Sequence, residues 1–426
     1  MTADKPQNIL IVGAGPVGLF LGFRLAKEGI KVDIIEKEDS ILQQPRASAC
    51  YGPASFVLKE AGLLQLVSER GYVGTSFGWR PQVKDDGNGG KTWGDLLAEL
   101  PFRAATAEHP ERGMSFLPQH KFAALIMEQA LETGNLTVHF GTELIAINND
   151  QPDRATATVR DVKSGVEREM VSAFLVGTDG GKSTTRKLLG IPMQGHTWPE
   201  RIVATDVIVP PLPIFLEAPA HFFMHPLHFG VVVPLEKPVA GQPGLWRFTL
   251  AVDPADTRTD EEILEDESLR NLFEVAMPGP RPLQYELRRR AIYRIHQRLA
   301  TTMFRGRCML AGDSAHLNNP FGAMGLTTGI LDVDSLTASL LMIYSNEQPV
   351  SVLAKWSDER RKVFQNFVDP TTSHNKLRIQ RDPATAYEDW AIKLLKNPSD
   401  ETMAKFLIPY GTVWPTDMKA VVQESS

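Results

Sequence analysis

A chain of 426 residues is longer than one ordinary core organises, so two domains and an appendage are expected. Apolar residues make up 42% and charged residues 23%, which is ordinary globular usage. The net charge of −6 gives the whole chain no electrostatic reason to bind nucleic acid or an anionic membrane.

Two distant cysteines, Cys50 and Cys308, argue against a disulfide framework or a cysteine zinc site, so no metal is expected. The polar start, residues 1–7, lacks a secretory apolar core. No apolar run is read as long enough to span a membrane; the best, residues 9–23, carries four glycines and a proline. A soluble, cytoplasmic protein is the expectation.

Residues 8–12 are a short apolar run that stops at glycine, which predicts a buried parallel strand. Residues 17–28 have helical spacing and end at Gly29. Residues 31–36 are a second β-branched run, completing a βαβ unit. A loop rich in Gln, Pro and Arg follows at 43–46, then a helix over 53–66 and a polar loop over 81–92. A helix is predicted over 119–133, a strand over 136–140, a hairpin over 143–171 with Ala155, Ala157 and Val159 on one face, and a buried strand over 173–176. From 201 to about 294 strand-like segments dominate, at 202–209, 221–234 and 245–252, interrupted by an acidic helix over 260–274. A buried strand returns at 307–311, followed by an apolar helix over 329–344. The last eighty or so residues read as helical and irregular, without a motif.

The turn after the first strand reads Gly13-Ala14-Gly15-Pro16-Val17-Gly18. Alone, a GxGxxG spacing is weak, but here a strand precedes it, a helix follows, and Glu36 ends the next strand, eighteen residues beyond Gly18. Gly13 makes the tight turn, Gly15 lets the backbone approach a pyrophosphate, and Gly18 lets helix and strand pack closely. The helix N-terminus favours the phosphates. Glu36, with Lys37 beside it, sits where ribose hydroxyls would arrive. The motif by itself leaves FAD and NAD as alternatives.

Two later motifs follow. Gly177-Thr178-Asp179-Gly180 leads to Ser183 and Arg186, and Leu310-Ala311-Gly312-Asp313-Ser314-Ala315-His316 is followed by Asn319-Pro320-Phe321-Gly322-Ala323-Met324-Gly325-Leu326. With these three in order the chain resembles the single-component flavoprotein aromatic hydroxylases, the family of p-hydroxybenzoate hydroxylase and phenol hydroxylase. The resemblance spans most of residues 8–345. It implies an α/β fold: a Rossmann-like FAD-binding domain (1–80, 111–200 and 296–345), an inserted antiparallel-sheet substrate domain (81–110 and 201–295), and a C-terminal helical segment (346–426). It implies that Asp313 accepts hydrogen bonds from the ribityl chain and that Pro320 lines the flavin edge. It implies that backbone N–H groups at Gly325 and Leu326 face the pyrimidine end, and that Asp179 supports the FAD pyrophosphate and NAD(P)H use. Arg46 and Gln119 resemble single flavin contacts, with Arg112 competing for the latter role. Thr327 stands where the family commonly has asparagine. His316 is expected to be a packed histidine.

The implied activity is an FAD- and NAD(P)H-dependent monooxygenase that hydroxylates a phenolic or aromatic small molecule, a secondary metabolite among the options, through a flavin C4a-hydroperoxide. Only one dinucleotide fold is visible, so NADPH or NADH would visit transiently. Epoxidation or oxidative rearrangement of an alkene or indole would share every motif. Second-domain candidates for the substrate are His221, His225, His228, Arg201, Arg247, Tyr293 and His296. His225 and His228, read as lying on a sheet, are the candidate phenol partners, against the blander reading of partly exposed sheet histidines. The basic run Arg288-Arg289-Arg290 with Arg294 and Arg298 is either a solvated face or a meeting point for NADPH phosphate. Self-association into a homodimer stays open.

Overall fold

The computed structural model describes residues 7–106, 108–211 and 218–424. Its first sheet has six strands in the order Leu136–His139, Val32–Ile35, Ile9–Val12, Phe174–Gly177, Cys308–Leu310 and Phe304–Arg305. The first five run parallel, with Ile9 opposite both Val32 and Phe174. Ile9–Val12 is buried at every residue, as a strand covered on both faces must be. The helix Pro16–Lys27 covers one face, and Gly22 lets it approach: a Cβ there would come 2.6 Å from Leu136 Cδ1. The hairpin expected over 143–171 is a three-stranded meander, Thr142–Asn148, Ala155–Asp161 and Glu167–Ser172, with Ala155, Ala157 and Val159 fully buried.

The second large sheet has eight strands, ordered His316–Leu317, Glu286–Ala300, Met193–Val209, Gly244–Val252, Gly230–Pro234, His221–Phe223, Ser76–Arg80 and Ala98–Pro101. All neighbours are antiparallel except His221–Phe223 beside Ser76–Arg80. One face packs Phe248 and Leu250 against Leu269 and Phe273 of the helix Asp266–Ala276. The other face looks toward the first sheet.

Several boundaries differ from the sequence reading. The helix expected over 53–66 breaks into Pro53–Glu60 and Leu64–Arg70, because Gly62 takes a left-handed φ of +81°. The acidic helix is also two, Asp260–Ile263 and Asp266–Ala276, the first opened by a capping box between Thr259 and Glu262. The segment 221–234 is a strand, a turn and a strand, so His225 and His228 lie in the turn and not on the sheet.

The apolar helix begins five residues earlier than read, at Met324, and runs to Tyr344. At 21 residues and mean hydropathy 1.4 it is long and apolar enough to cross a membrane, contrary to the sequence reading. Yet 72% of that window is buried inside the protein, so it is the core helix against which the remaining layers pack. Beyond it, Val352–Val363 continues through a π-helical turn, Phe364–Val368, into Asp369–Ile379. The short helices Trp390–Leu395, Asp400–Thr412 and Met418–Gln423 complete the chain.

Candidate functional site

The three glycine-bearing turns sit at the C-terminal ends of neighbouring parallel strands and open onto one cavity of about 1920 Å³. Ligands of open α/β sheets bind at this end, where strand order reverses. Gly13, Gly15, Pro16, Val17, Glu36, Lys37, Arg46, Gln119, Asp179, Asp313, Pro320, Gly325 and Leu326 all line it. So does Arg112, the competitor to Gln119.

Gly13 turns with φ +106°, and a Cβ there would stand 2.8 Å from the Thr178 carbonyl oxygen. A Cβ at Gly15 would meet no protein atom within 4 Å, so a bare stretch of backbone faces the cavity. The helix Pro16–Lys27 starts on Gly15 with no side-chain cap, leaving its first N–H groups for a ligand. Gly18 does not line the cavity; a side chain there would run into the Gly13 carbonyl and the Thr178 hydroxyl. Glu36 is held at the strand end by the N–H groups of Ala14 (2.9 Å) and Glu38 (3.0 Å), with lone pairs left on both oxygens.

The middle motif is built differently from the way its acid suggests. Asp179 accepts from Ser183 Oγ at 2.5 Å and from the N–H and hydroxyl of Thr185 at 2.9 and 3.1 Å. Its carboxylate thus organises the short helix Thr184–Leu188. That helix carries Arg186, which donates to the carbonyls of Ser314 (2.8 Å) and Gly181 (3.0 Å) and ties the middle motif to the last one.

In the last motif Gly312 (φ +63°) presents Asp313 to the cavity. The Asp313 carboxylate has no hydrogen-bond partner among the described residues. It is open to the cavity yet enclosed by protein, and this burial raises its pKa against the charges of His316 and Arg46. Behind it, His316 Nε2 and Arg360 Nε hold the two oxygens of Asp332 at 2.6 and 2.8 Å, and the Gly312 N–H donates to Asp332 as well. His316 is 1% exposed and stacked on Phe364, a packed histidine. The Pro320 carbonyl accepts from Gly322 and Ala323 at 3.0 and 3.1 Å. Ala323 is left-handed (φ +53°) and opens the helix Met324–Tyr344 without a side-chain cap, so Gly325 and Leu326 offer backbone N–H groups. Thr327 bonds back to the Ala323 carbonyl at 3.2 Å.

These residues fit a flavin dinucleotide on two observations: a glycine surface with room beside an uncapped helix N-terminus, and the Asp313 carboxylate, open to the same cavity with no hydrogen-bond partner among the described residues. The carboxylate of Asp179 has no comparable freedom.

The far half of the cavity is apolar. Phe77, Trp79, Phe222, Val231 and Val233 line it from the eight-stranded sheet. Phe77 meets Phe222 edge-on at 4.7 Å. Arg247 and Tyr293 stand in this wall, as two of the sequence candidates. Arg247 is neutralised by Asp206 (2.7 and 2.9 Å) and also donates to the Arg46 carbonyl. Tyr293 is driven to a pKa of about 12 by burial, against the pull of Arg247 and Arg46.

His225 and His228 do not reach the cavity lining. The His225 ring accepts the N–H groups of Leu227 and His228 inside its own turn, and the turn packs on the end of Asp369–Ile379 through Ile379. Both therefore stand in the turn between Phe223 and Gly230, not on the sheet as expected, and outside the cavity lining. His221 faces Trp93 on the outer side, and burial lowers its pKa to about 3. Arg201 is bound to Asp260 and to the Arg258 and Asp256 carbonyls. His296 lines the cavity and bonds Thr197. Arg288, Arg289 and Arg290 pair with Glu286, Asp206 and Asp266.

One wall was not foreseen. Asn375, Arg378, Leu395, Phe406 and Tyr410, all from the motif-free C-terminal segment, line the cavity beside Gly322. Only the persistence of apolar helical spacing near residues 390–410 hinted at packing there, and nothing pointed to a site.

Comparison with known proteins agrees with the geometry. A family model described as FAD binding domain matches residues 7–371. The chain is 32% identical over 404 residues to para-nitrophenol 4-monooxygenase of Pseudomonas sp. (strain WBC-3), covering 94% of each. It is 29% identical over 404 residues to 6-hydroxy-3-succinoylpyridine 3-monooxygenase of Pseudomonas putida (strain DSM 28022 / S16), covering 90% of this chain and 92% of the other. It superposes on the crystal structure of p-nitrophenol 4-monooxygenase from Pseudomonas putida DLL-E4 with a TM-score of 0.84 at 29% identity, covering 97% of this chain and 99% of that one.

Proposed function

The chain belongs to the single-component FAD-dependent aromatic hydroxylases, and we propose that its reaction is the NAD(P)H-driven hydroxylation of a phenolic ring held against the eight-stranded sheet. The observation that carries this reading is the joining of two unlike sets of residues in one cavity, glycines and carboxylates from the parallel sheet and aromatics from the eight-stranded sheet, with the Pro320–Ala323 turn in the same lining. Bound FAD supplies the redox chemistry, taking hydride from NAD(P)H and activating O2.

The chain's residues do the rest. Backbone N–H groups after Gly15 bind the pyrophosphate, and Glu36 accepts the ribose hydroxyls. Asp313 accepts from the ribityl chain. The N-terminus of Met324–Tyr344 lies ready for negative charge at the pyrimidine end. Phe77, Trp79, Phe222 and Val233 exclude water and stack the substrate ring. Tyr293 keeps its proton at neutral pH, as an ordinary tyrosine does and with burial raising its pKa further to about 12, and so can donate to a substrate oxygen. Two buried thiols, Cys50 and Cys308, and a need for NAD(P)H suit a cytoplasmic setting.

The test is direct. FAD-loaded protein is given NADPH or NADH and a panel of phenols, indoles and alkenes. Substrate-stimulated NAD(P)H oxidation with a hydroxylated phenol as product supports the reading. Epoxide or rearranged product, with phenols untouched, overturns it.

A further inference from the structure

Arg378 has hydrogen-bonding capacity left over at the edge of the aromatic wall. It lies on Asp369–Ile379 and is only 6% exposed. Its Nε donates to Asp389 Oδ1 at 2.7 Å and its Nη1 to Asn375 Oδ1. A guanidinium carries five N–H donors in a rigid fork. Two are engaged and the guanidinium stands over the Trp390 ring at 5.9 Å; the other donors have no hydrogen-bond acceptor among the described residues, and the side chain lines the cavity.

Both partners of the fork are themselves fixed. Asp389 accepts the N–H groups of Ala391 (2.9 Å) and Ile392 (3.2 Å) at the start of Trp390–Leu395. Asn375 stands against the Gly322 turn, where a Cβ on Gly322 would come 3.4 Å from Asn375 Nδ2. The guanidinium is therefore preorganised on the cavity lining, on the helix whose Asn375 stands against the flavin-side turn. Its charge is balanced by Asp389, so it does not need a full anion. A largely buried donor fork on a cavity lining discriminates for whatever satisfies it, because a ligand that leaves those donors unpaired forfeits their solvation.

We infer that Arg378 is a specificity-determining residue that binds an oxygen acceptor (carbonyl, nitro or carboxylate) carried as a substituent on the aromatic substrate. This rests on the phenol-hydroxylase reading of the same cavity, which already gives the ring hydroxyl a partner in Tyr293.

The experiment is calorimetric titration of the FAD-loaded protein with 4-hydroxyacetophenone, 4-hydroxybenzoate and 4-isopropylphenol, the last having the shape of the first without its acceptor. Wild type is expected to bind the two acceptor-bearing phenols roughly 10- to 100-fold more tightly than 4-isopropylphenol. Arg378→Lys, which keeps the charge and loses the fork, should bring that ratio within about threefold. So should the double variant Arg378→Gln with Asp389→Asn, which leaves no buried unpaired charge. If the double variant does not fold, the lysine variant decides. A ratio preserved in a folded variant overturns the inference, as does an equal loss for all three ligands, which would make Arg378 a strut. Wild type that binds all three without preference overturns it too, and leaves phenol hydroxylation standing. Failure to bind any phenol removes both.

Discussion

Three aspartates show how one side chain takes three roles according to its surroundings. Asp179 is consumed by its own turn, Asp332 by Arg360, His316 and the Gly312 N–H, and Asp313 by no hydrogen-bond partner among the described residues. Asp313→Ala should therefore leave the fold intact and weaken FAD binding by roughly 10- to 100-fold, the worth of hydrogen bonds to a charged acceptor. Recovery of flavin fluorescence on dilution measures it, and an unchanged Kd would remove the ribityl role. Asp332 behaves in the opposite way. Burial alone would raise its pKa, but His316, Arg360 and the Gly312 N–H overcome that and hold it at about 2. Its unfolded value is near 3.9. The depressed folded value stabilises the protein above about pH 4, and that stability drains away as pH falls through 4 toward 2. Asp332→Asn should cost about 3–5 kcal/mol at pH 7, because Arg360 is left buried without its partner. Urea unfolding at pH 7 and pH 3 checks both: the variant should lose less stability than wild type across that interval, and an identical pH slope would refute the assignment.

At the scale of elements, the first strand, turn and helix were legible because the turn needs glycine for two different reasons, close packing within the protein and an open backbone surface toward the cavity. Gly15 and Gly18 separate those reasons. Gly15→Ala meets no protein atom and has an extended backbone (φ −72°), so unfolding free energy should change by less than about 0.5 kcal/mol while FAD affinity falls. Gly18→Ala collides with the Gly13 carbonyl and should cost stability, about 1–3 kcal/mol, despite alanine's better helix propensity. Parallel thermal melts of the two apoproteins decide; equal melting shifts would refute the division of labour. The same logic explains the misread turn. Residues 221–234 carry the right residue types for one strand, and alternation alone could not show that Pro226 folds it into two. Histidines were weighted there because of their chemistry, while Tyr293 and Arg247, on strands that do face inward, were indistinguishable by pattern from their neighbours.

Across the whole molecule, what the sequence made legible is what backbone geometry constrains locally: the parallel strands, their turns and the order of the three motifs. The C-terminal wall escaped because its contribution is made by contacts between residues far apart in the sequence. Trp414 is the clearest case. It is fully buried, its Nε1 donates to Thr328 Oγ1 of the core helix at 3.0 Å, and its carbonyl accepts from Arg360 at 2.8 Å. Tyr51, Phe367 and Tyr410 pack their rings around it, and Tyr51 in turn donates to the Gly322 carbonyl at 2.6 Å. The segment is thus locked to the core helix, to the buried Asp332 cluster and to the Pro320–Ala323 turn in the cavity lining. Trp414→Ala should remove about 3–5 kcal/mol, the range for emptying a buried aromatic site. Because Arg360 is shared with Asp332, the loss should appear as one cooperative urea transition at a lower midpoint, with no separate melting of the tail. Binding of 4-hydroxyacetophenone should weaken in the same variant, since Tyr410, which lines the cavity, loses its backing. A wild-type midpoint, with trypsin cutting only beyond residue 390, would mean that the wall docks independently of the core, and the coupling argued from Arg360 would fall.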